Sequence, residues 1–151
     1  MKRLHMHITV NELSESINFY STIFNSPPSV EREDYAKWDL SEPAVNFAIS
    51  KCGHTSGIHH LGIQVDTDDE LEEIAIRLDN AEITSSKQEG STCCYAHSNK
   101  YWVLDPQGIA WEAFHTLGEV SLFGEDAGIN LEGEPAACCI PNEGNVAGCC
   151  S

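Results

Sequence analysis

Apolar and polar positions change period several times along the chain, and the changes divide it into elements. Residues 5–10 read HMHITV and residues 60–65 read HLGIQV. Each alternates like a half-buried strand, with Ile and Val directed to one side. Both fit H-x-x-I-x-V. Behind the first, Leu13, Ile17, Tyr20 and Phe24 share one face of a predicted helix, with Asn11 as its N-cap. Behind the second, Leu71, Ile74, Ala75 and Leu78 form the stripe, and TDDE offers a capping box from Thr67 to Glu70.

Short strand-like runs follow each helix: PSVER, YAKWDL and VNFAIS in the first half, then EITSS, CCYAHS, YWVLD and IAWEAFH in the second. DPQG at 105–108 carries Pro and Gly where a type I turn favours them, which predicts a hairpin between the last two runs. Each half is therefore a β-α-β-β-β unit of roughly fifty residues, a repeat too small to hide its own sheet face. The expected fold is α+β: two tandem βαβββ modules, at about 1–52 and 58–116, packed as one domain over 1–116. From Thr116 onward the periodicity stops. With six acidic residues, no Lys or Arg and frequent Gly, residues 117–151 read as a flexible, Cys-rich tail.

Composition narrows the functions. At 151 residues one hydrophobic core can form. A formal charge of -16 repels phosphate backbones and anionic bilayers, so neither nucleic acid nor a membrane is an expected partner. No apolar run approaches the ~20 residues of a bilayer span. MKRLHMHITV has no long apolar stretch and no small-residue cleavage site, so the expected location is cytoplasmic. Of seven cysteines, six form adjacent pairs: 93–94, 138–139 and 149–150. A disulfide between neighbours closes a strained ring and staples no loop. These read as thiols for metal, metalloid or redox chemistry, and Cys52 as incidental.

The repeat sets His5 and His60 at equivalent places, which a pseudo-twofold axis would bring together. Glu112 lies amid aromatic neighbours in AWEAF, and a carboxylate buried there needs a partner or a cation. Two imidazoles and one carboxylate form the facial triad that suits non-haem Fe(2+), because three positions stay open. His7, His54, His59, His97 and His115 read as ordinary structural or surface histidines; His7 and His59 fail the register of the two halves.

The doubled plan, the H-x-x-I-x-V strands and DPQGIAWE resemble the vicinal oxygen chelate superfamily, which holds glyoxalase I, fosfomycin-resistance enzymes, bleomycin-binding proteins and extradiol dioxygenases. The likeness covers about residues 3–116. It implies metal ligation by His5, His60 and Glu112, with Glu112 also catalytic. Glyoxalase I adds a fourth, acidic ligand from the last strand of the first half. Here VNFAIS sets Phe47 at that slot, which argues for a three-ligand iron site. Members build their sites within one chain or across a homodimer, and both arrangements stay open.

TCCYA followed by KYWVLDPQGIAWEAF resembles a narrower group, the organoarsenical carbon–arsenic lyases and the related cadmium-induced proteins. That resemblance implies that Cys93 and Cys94 bind a trivalent organoarsenical beside ferrous iron and that dioxygen is used to break the C–As bond. Soft arsenic favours thiolates, and the second of two sulfurs binds intramolecularly. Neighbours on a regular strand point to opposite faces, so the backbone at Cys93 must bulge or turn, and Gly90 would permit it. Lys100 reads either as a solvated turn lysine or as a contact for an anionic substrate group. The expected function is an Fe(2+)-dependent dioxygenase acting as a C–As lyase. The alternatives are a cadmium- or arsenite-sequestering protein on the same scaffold and another metalloenzyme of glyoxalase type.

Overall fold

The two repeated strands lie side by side, antiparallel, at the centre of one eight-stranded sheet. The computed structural model describes residues 2–51, 55–93 and 95–119, with Cys93 and Glu119 described by backbone alone. Of the expected tail, residues 117–119 belong to the last strand, and the rest with its cysteine pairs lies outside the described residues, as do Cys52, His54 and Cys94. The first module is β1 (Arg3–Thr9), α1 (Leu13–Phe24), β2 (Val30–Glu31), β3 (Tyr35–Ser41) and β4 (Ala44–Ser50). The second is β5 (Gly57–Val65), α2 (Asp68–Asn80), β6 (Ser86–Cys93), β7 (Ala96–Leu104) and β8 (Ala110–Glu119). The order β2-β3-β4-β1-β5-β8-β7-β6 is the same in each half, read outward from the central pair. In each half the first strand pairs parallel with the last, a connection that needs a crossover, and the helix is part of it. The expected α+β fold of two βαβββ modules in one domain is what the chain adopts.

Both helices cover the same face. Under α1, Leu13, Ala36, Trp38, Phe47 and Ile49 form the buried core, joined by Ile17, Tyr20 and Phe24 from the predicted stripe. Under α2 the core is Val65, Leu71, Ile74, Tyr101 and Ala113, with Ala75 and Leu78 against it. Alternation then sends the opposite parity of each strand to the other face, where His5, His7, Asn46, His60, Lys100 and Glu112 are all buried. That polar face is enclosed because the two ends of the sheet meet over it. The Tyr95 hydroxyl donates to Asp34 Oδ1 at 2.6 Å, and the Tyr35 and Tyr95 rings stand 5.5 Å apart. No helix among the described residues is long and apolar enough to cross a membrane.

Three expectations are corrected. Asn11 does not cap α1: Glu12 holds that position through its backbone, its carbonyl accepting from Ser16 N at 3.1 Å, and no side chain caps the helix. EITSS is not a strand, because residues 82 and 83 close α2, with Ile83 N donating to the Leu78 carbonyl at 2.9 Å. CCYAHS is not one strand either. β6 ends at Cys93, paired with Ala96, and Tyr95 takes φ 62°, so the run spans a hairpin turn.

The capping box at α2 is present: the Glu70 amide donates to Thr67 Oγ1 at 3.2 Å. The return bond goes one residue further back, from Asp66 N to Glu70 Oε2 at 2.9 Å. Thr67→Ala removes the acceptor and is expected to cost about 1 kcal/mol, measured as a lower urea midpoint with an unchanged slope.

Candidate metal centre

The centre of the polar face is a single cross-strand row. His5 on β1 faces Gly62 on β5, and Gly62 in turn pairs with Glu112 on β8. Gly62 has no side chain to fill the space between them. A Cβ there would collide with the Glu112 carbonyl oxygen and stand 2.9 Å from its Cγ. Across that gap the side chains of His5 and Glu112 meet, and His60 joins from the next row. His5 Nε2 lies 3.0 Å from His60 Nε2, and each of these nitrogens lies 3.3 Å from Glu112 Oε1. All three residues come from one chain.

This triangle suits a single ion. Donor atoms bonded at about 2.1 Å lie about 3.0 Å apart at right angles and about 3.4 Å apart at the tetrahedral angle. The observed edges fall in that interval. The protonation states suit it too. His5 Nδ1–H donates to the Asn46 carbonyl at 3.0 Å, which leaves the Nε2 lone pair directed at the triangle. Burial is the largest influence on His5 and lowers its pKa to about 4, with His60 acting the same way and Glu112 and Asn46 opposing. For Glu112, burial is again the largest influence and favours protonation. The Lys100 ammonium, His60 and His5 together outweigh it and hold the carboxyl well below the usual carboxylate range.

Lys100 is neither on a connection nor solvated. It lies within β7, 4% exposed, with Nζ 3.4 Å from Glu112 Oε2 and 5.5 Å from the Trp102 ring. It thereby occupies the second carboxylate oxygen and leaves Oε1 toward the two imidazoles.

Phe47 does not face the slot expected of it. It points to the helix-covered core, within 4.5 Å of the Tyr20 ring centroid. By the repeat, Gly62 corresponds to His7, whose parallel partner on β4 is Ala48. The counterpart of Glu112 is therefore Ala48, which carries no donor atom. Asn46 sits beside His5 instead, donating from Nδ2 to Gln64 Oε1 at 3.0 Å, while its buried Oδ1 has no hydrogen-bond partner among the described residues.

His7 and His59, read as ordinary from the sequence, both belong to the surroundings of the triad. Ring nitrogens of His5, His7 and His60 lie within 4.8 Å of one another. That set is looser than the triangle with Glu112 and lacks its negative charge, and His7 Nε2 is engaged with Ser50 Oγ at 2.7 Å. We therefore take Glu112 as the third donor and His7 as part of the wall. His59 Nδ1 lies 2.7 Å from His60 Nδ1. His115 instead meets Asp68 at 3.0 Å, near the surface.

The triad opens into a pocket lined also by Tyr35, Lys37, Ala96, Ser98 and Phe114. Gly90 takes φ 59° in β6, where pairing slips by one residue between Gln88 and Ser91. The slip sets the backbone of Cys93 opposite that of Ala96, and Ala96 lines this cavity. β6 thus carries a bulge at Gly90, three residues before Cys93.

Two outcomes follow. Gly62→Ala should lower stability by about 1–3 kcal/mol or more, because the obstacle is backbone, and should weaken divalent-metal binding in equilibrium dialysis. The lowered His5 pKa makes the metal-free fold fully supported only above its unfolded value of 6.5. Stability should therefore fall as pH drops from 6.5 toward 4, by roughly 3 kcal/mol at ~1.4 kcal/mol per pKa unit. Glu112 extends the loss below 4.5, its ordinary value. Urea titrations at a series of pH values measure both.

Residues 2–113 match the family model described as Glyoxalase/Bleomycin resistance protein/Dioxygenase superfamily. The chain is 37% identical to the trivalent organoarsenical cleaving enzyme of Bacillus sp. (strain MD1), over 100% of this chain and 91% of that protein. It is 31% identical to the cadmium-induced protein CadI of Mycobacterium bovis, over 97% of each. Among solved structures it is similar to a substrate complex of homoprotocatechuate 2,3-dioxygenase from Brevibacterium fuscum, at TM-score 0.59 and 18% identity, over 80% of this chain and 38% of that one. The last likeness concerns fold alone. With the family model spanning residues 2–113 and the relatives aligned end to end, this chain belongs to the glyoxalase/bleomycin resistance protein/dioxygenase superfamily.

Proposed function

We propose that this protein is an Fe(2+)-dependent dioxygenase that cleaves the carbon–arsenic bond of trivalent organoarsenicals and releases arsenite. One observation carries the reading: a buried 3.0–3.3 Å triangle of two imidazole nitrogens and one carboxylate oxygen, opening into a cavity whose wall includes the strand partner of Cys93. Relatives named as trivalent organoarsenical cleaving enzymes, at 37% and 31% identity over nearly the whole chain, support the substrate class.

His5, His60 and Glu112 would hold the iron, which when bound supplies activation of dioxygen and open positions for ligands. Each residue has a definite part in this. His5 presents Nε2 because Asn46 holds its Nδ1 proton. Glu112 presents Oε1 because Lys100 holds Oε2. Lys100 and Glu112 already neutralise each other, so a divalent cation leaves the pocket positive. That field favours thiolate over thiol at nearby cysteines. Cys93 and Cys94 would then bind arsenic as a pair and set its carbon substituent toward the triad. Holding both reactants in one pocket contributes most of what the protein adds to the rate. For a methylarsenite the balance closes with one dioxygen: CH3As(OH)2 and O2 give As(OH)3 and formaldehyde.

The test begins with anaerobic loading by Fe(2+), addition of methylarsenite and then admission of air. Arsenite release that requires both iron and oxygen is the expected result. Tight arsenical or cadmium binding with no turnover would instead favour sequestration, a reading to which the 31% identical cadmium-induced relatives lend weight. Glu112→Ala should lower turnover by more than about 100-fold while leaving arsenical binding close to that of the parent protein. Cys94→Ser should weaken arsenical capture without reducing the iron content.

A further inference from the structure

The pairing of β1 with β5 contains a slip: His7 faces His60, but the next residue, Ile8, faces Ile58. One residue of β5 is therefore supernumerary, and it is His59. In a regular strand, side chains at adjacent positions point to opposite faces and cannot touch. A bulge removes that restriction by turning the extra residue relative to its neighbours. Here it brings two consecutive histidines into contact, with His59 Nδ1 2.7 Å from His60 Nδ1 and the His59 ring 5.3 Å from that of His7.

The contact falls on the nitrogen of His60 that the triad does not use. His60 Nε2 meets His5 and Glu112, while Nδ1 meets His59. For Nε2 to offer a lone pair to a cation, Nδ1 must carry the proton and needs an acceptor. His5 has the same arrangement, with the Asn46 carbonyl as acceptor at 3.0 Å. Only the chemistry of the acceptor differs between the two: a backbone oxygen in the first module, an imidazole nitrogen supplied by a bulge in the second.

We propose that His59 is a positioning residue, which accepts the Nδ1 proton of His60 and thereby fixes the tautomer and ring direction with which His60 ligates the metal. This inference rests on the reading of His5, His60 and Glu112 as the metal triad. His59 does not touch the ion or the substrate. Its effect is transmitted through one hydrogen bond, so it depends on an acceptor atom at that place rather than on the imidazole as such.

Cobalt(II) titration of the metal-free full chain, followed by visible absorption, tests it. His59→Leu removes the acceptor and should weaken Co(II) binding by about 10–100-fold, the usual consequence of losing such a partner. His59→Asn keeps an acceptor oxygen close to where Nδ1 stood and should restore most of the affinity. Proton NMR of the Co(II)-loaded protein supplies a readout that a packing role would not move. Two shifted, solvent-exchangeable Nδ1–H signals are expected in the parent protein and in His59→Asn, but one of them should be lost to exchange in His59→Leu. If His59→Leu does not fold, His59→Ala takes its place with the same expectations. Parent-like affinity and two retained signals in the Leu or Ala variant would overturn the proposal, as would His59→Asn failing as badly as His59→Leu. If Glu112→Ala and His5→Ala both bind Co(II) like the parent, the triad reading itself is wrong, which is a different failure.

Discussion

The Glu112 carboxylate lies buried within a β-sheet, and most features of the site answer to that fact. Withdrawing such an ion from water costs several kcal/mol unless charge and hydrogen bonds replace the solvent. Lys100 does so at Oε2, while the two imidazole Nε2 atoms converge on Oε1 as fellow donor atoms. The ammonium is itself nearly dry, 4% exposed, so the two charges depend on each other. Remove either, and the other is left uncompensated at the core of the polar face. The same constraint explains Gly62. The carboxylate can stand over β5 only where that strand has no side chain, and the backbone of Glu112 passes too close for a Cβ.

Duplication of the βαβββ unit supplies the two histidines by symmetry, but the site arises where the symmetry is broken. His5 and His60 occupy equivalent positions on the paired central strands. Two residues later the halves diverge: His7 in one, Gly62 in the other. Their parallel partners diverge in the complementary sense, Ala48 beside His7 and Glu112 beside Gly62. A large residue lies next to a small one in each case, so both rows fill the same width. In the first half the large residue is an imidazole hydrogen-bonded to Ser50, and in the second it is the acidic donor. One copy of the plan thus contributes a wall and the other a carboxylate, and the triangle has three donor atoms instead of four.

Much of this was legible in the sequence. Period-2 runs separated by helical stripes are enough to expect two βαβββ modules, because those periods reflect which side of each element is buried. The capping box at Thr67 and the DPQG hairpin were readable for a related reason, since both are local and depend on residues within one turn. The Asp105 carboxylate that accepts from Gln107 N and Ile109 N lies in that same turn. Convergence of His5 and His60 was legible through the repeat, and Glu112 was singled out by its aromatic neighbours and by the DPQGIAWE resemblance. Asn11, EITSS and Phe47 were misread for different reasons. Glu12 caps α1 by backbone alone, α2 extends a closing turn through residue 83, and the parity of β4 is set by its pairing with β1. Lys100 was hidden because its partner is supplied by the neighbouring strand.

Pattern reading missed His59 because of a bulge. Strand periodicity assumes that every residue advances the alternation by one, and a bulge violates that assumption at a single point. Among the described residues such slips fall at His59, at Gly90 and at Leu117. Each changes which neighbour reaches a given row. At Gly90 the conformation requires a glycine, with φ 59° and a Gly90 N to Asn99 Oδ1 bond at 2.9 Å, so the sequence carries a trace of it. At His59 there is no such trace, because the slip is absorbed in the pairing of β5 with β1 and needs no special residue. A one-residue insertion of this kind is nearly silent in composition and in periodicity. It nevertheless decides whether two adjacent histidines stand on opposite faces of the sheet or in hydrogen-bond contact beside the buried triangle of His5, His60 and Glu112.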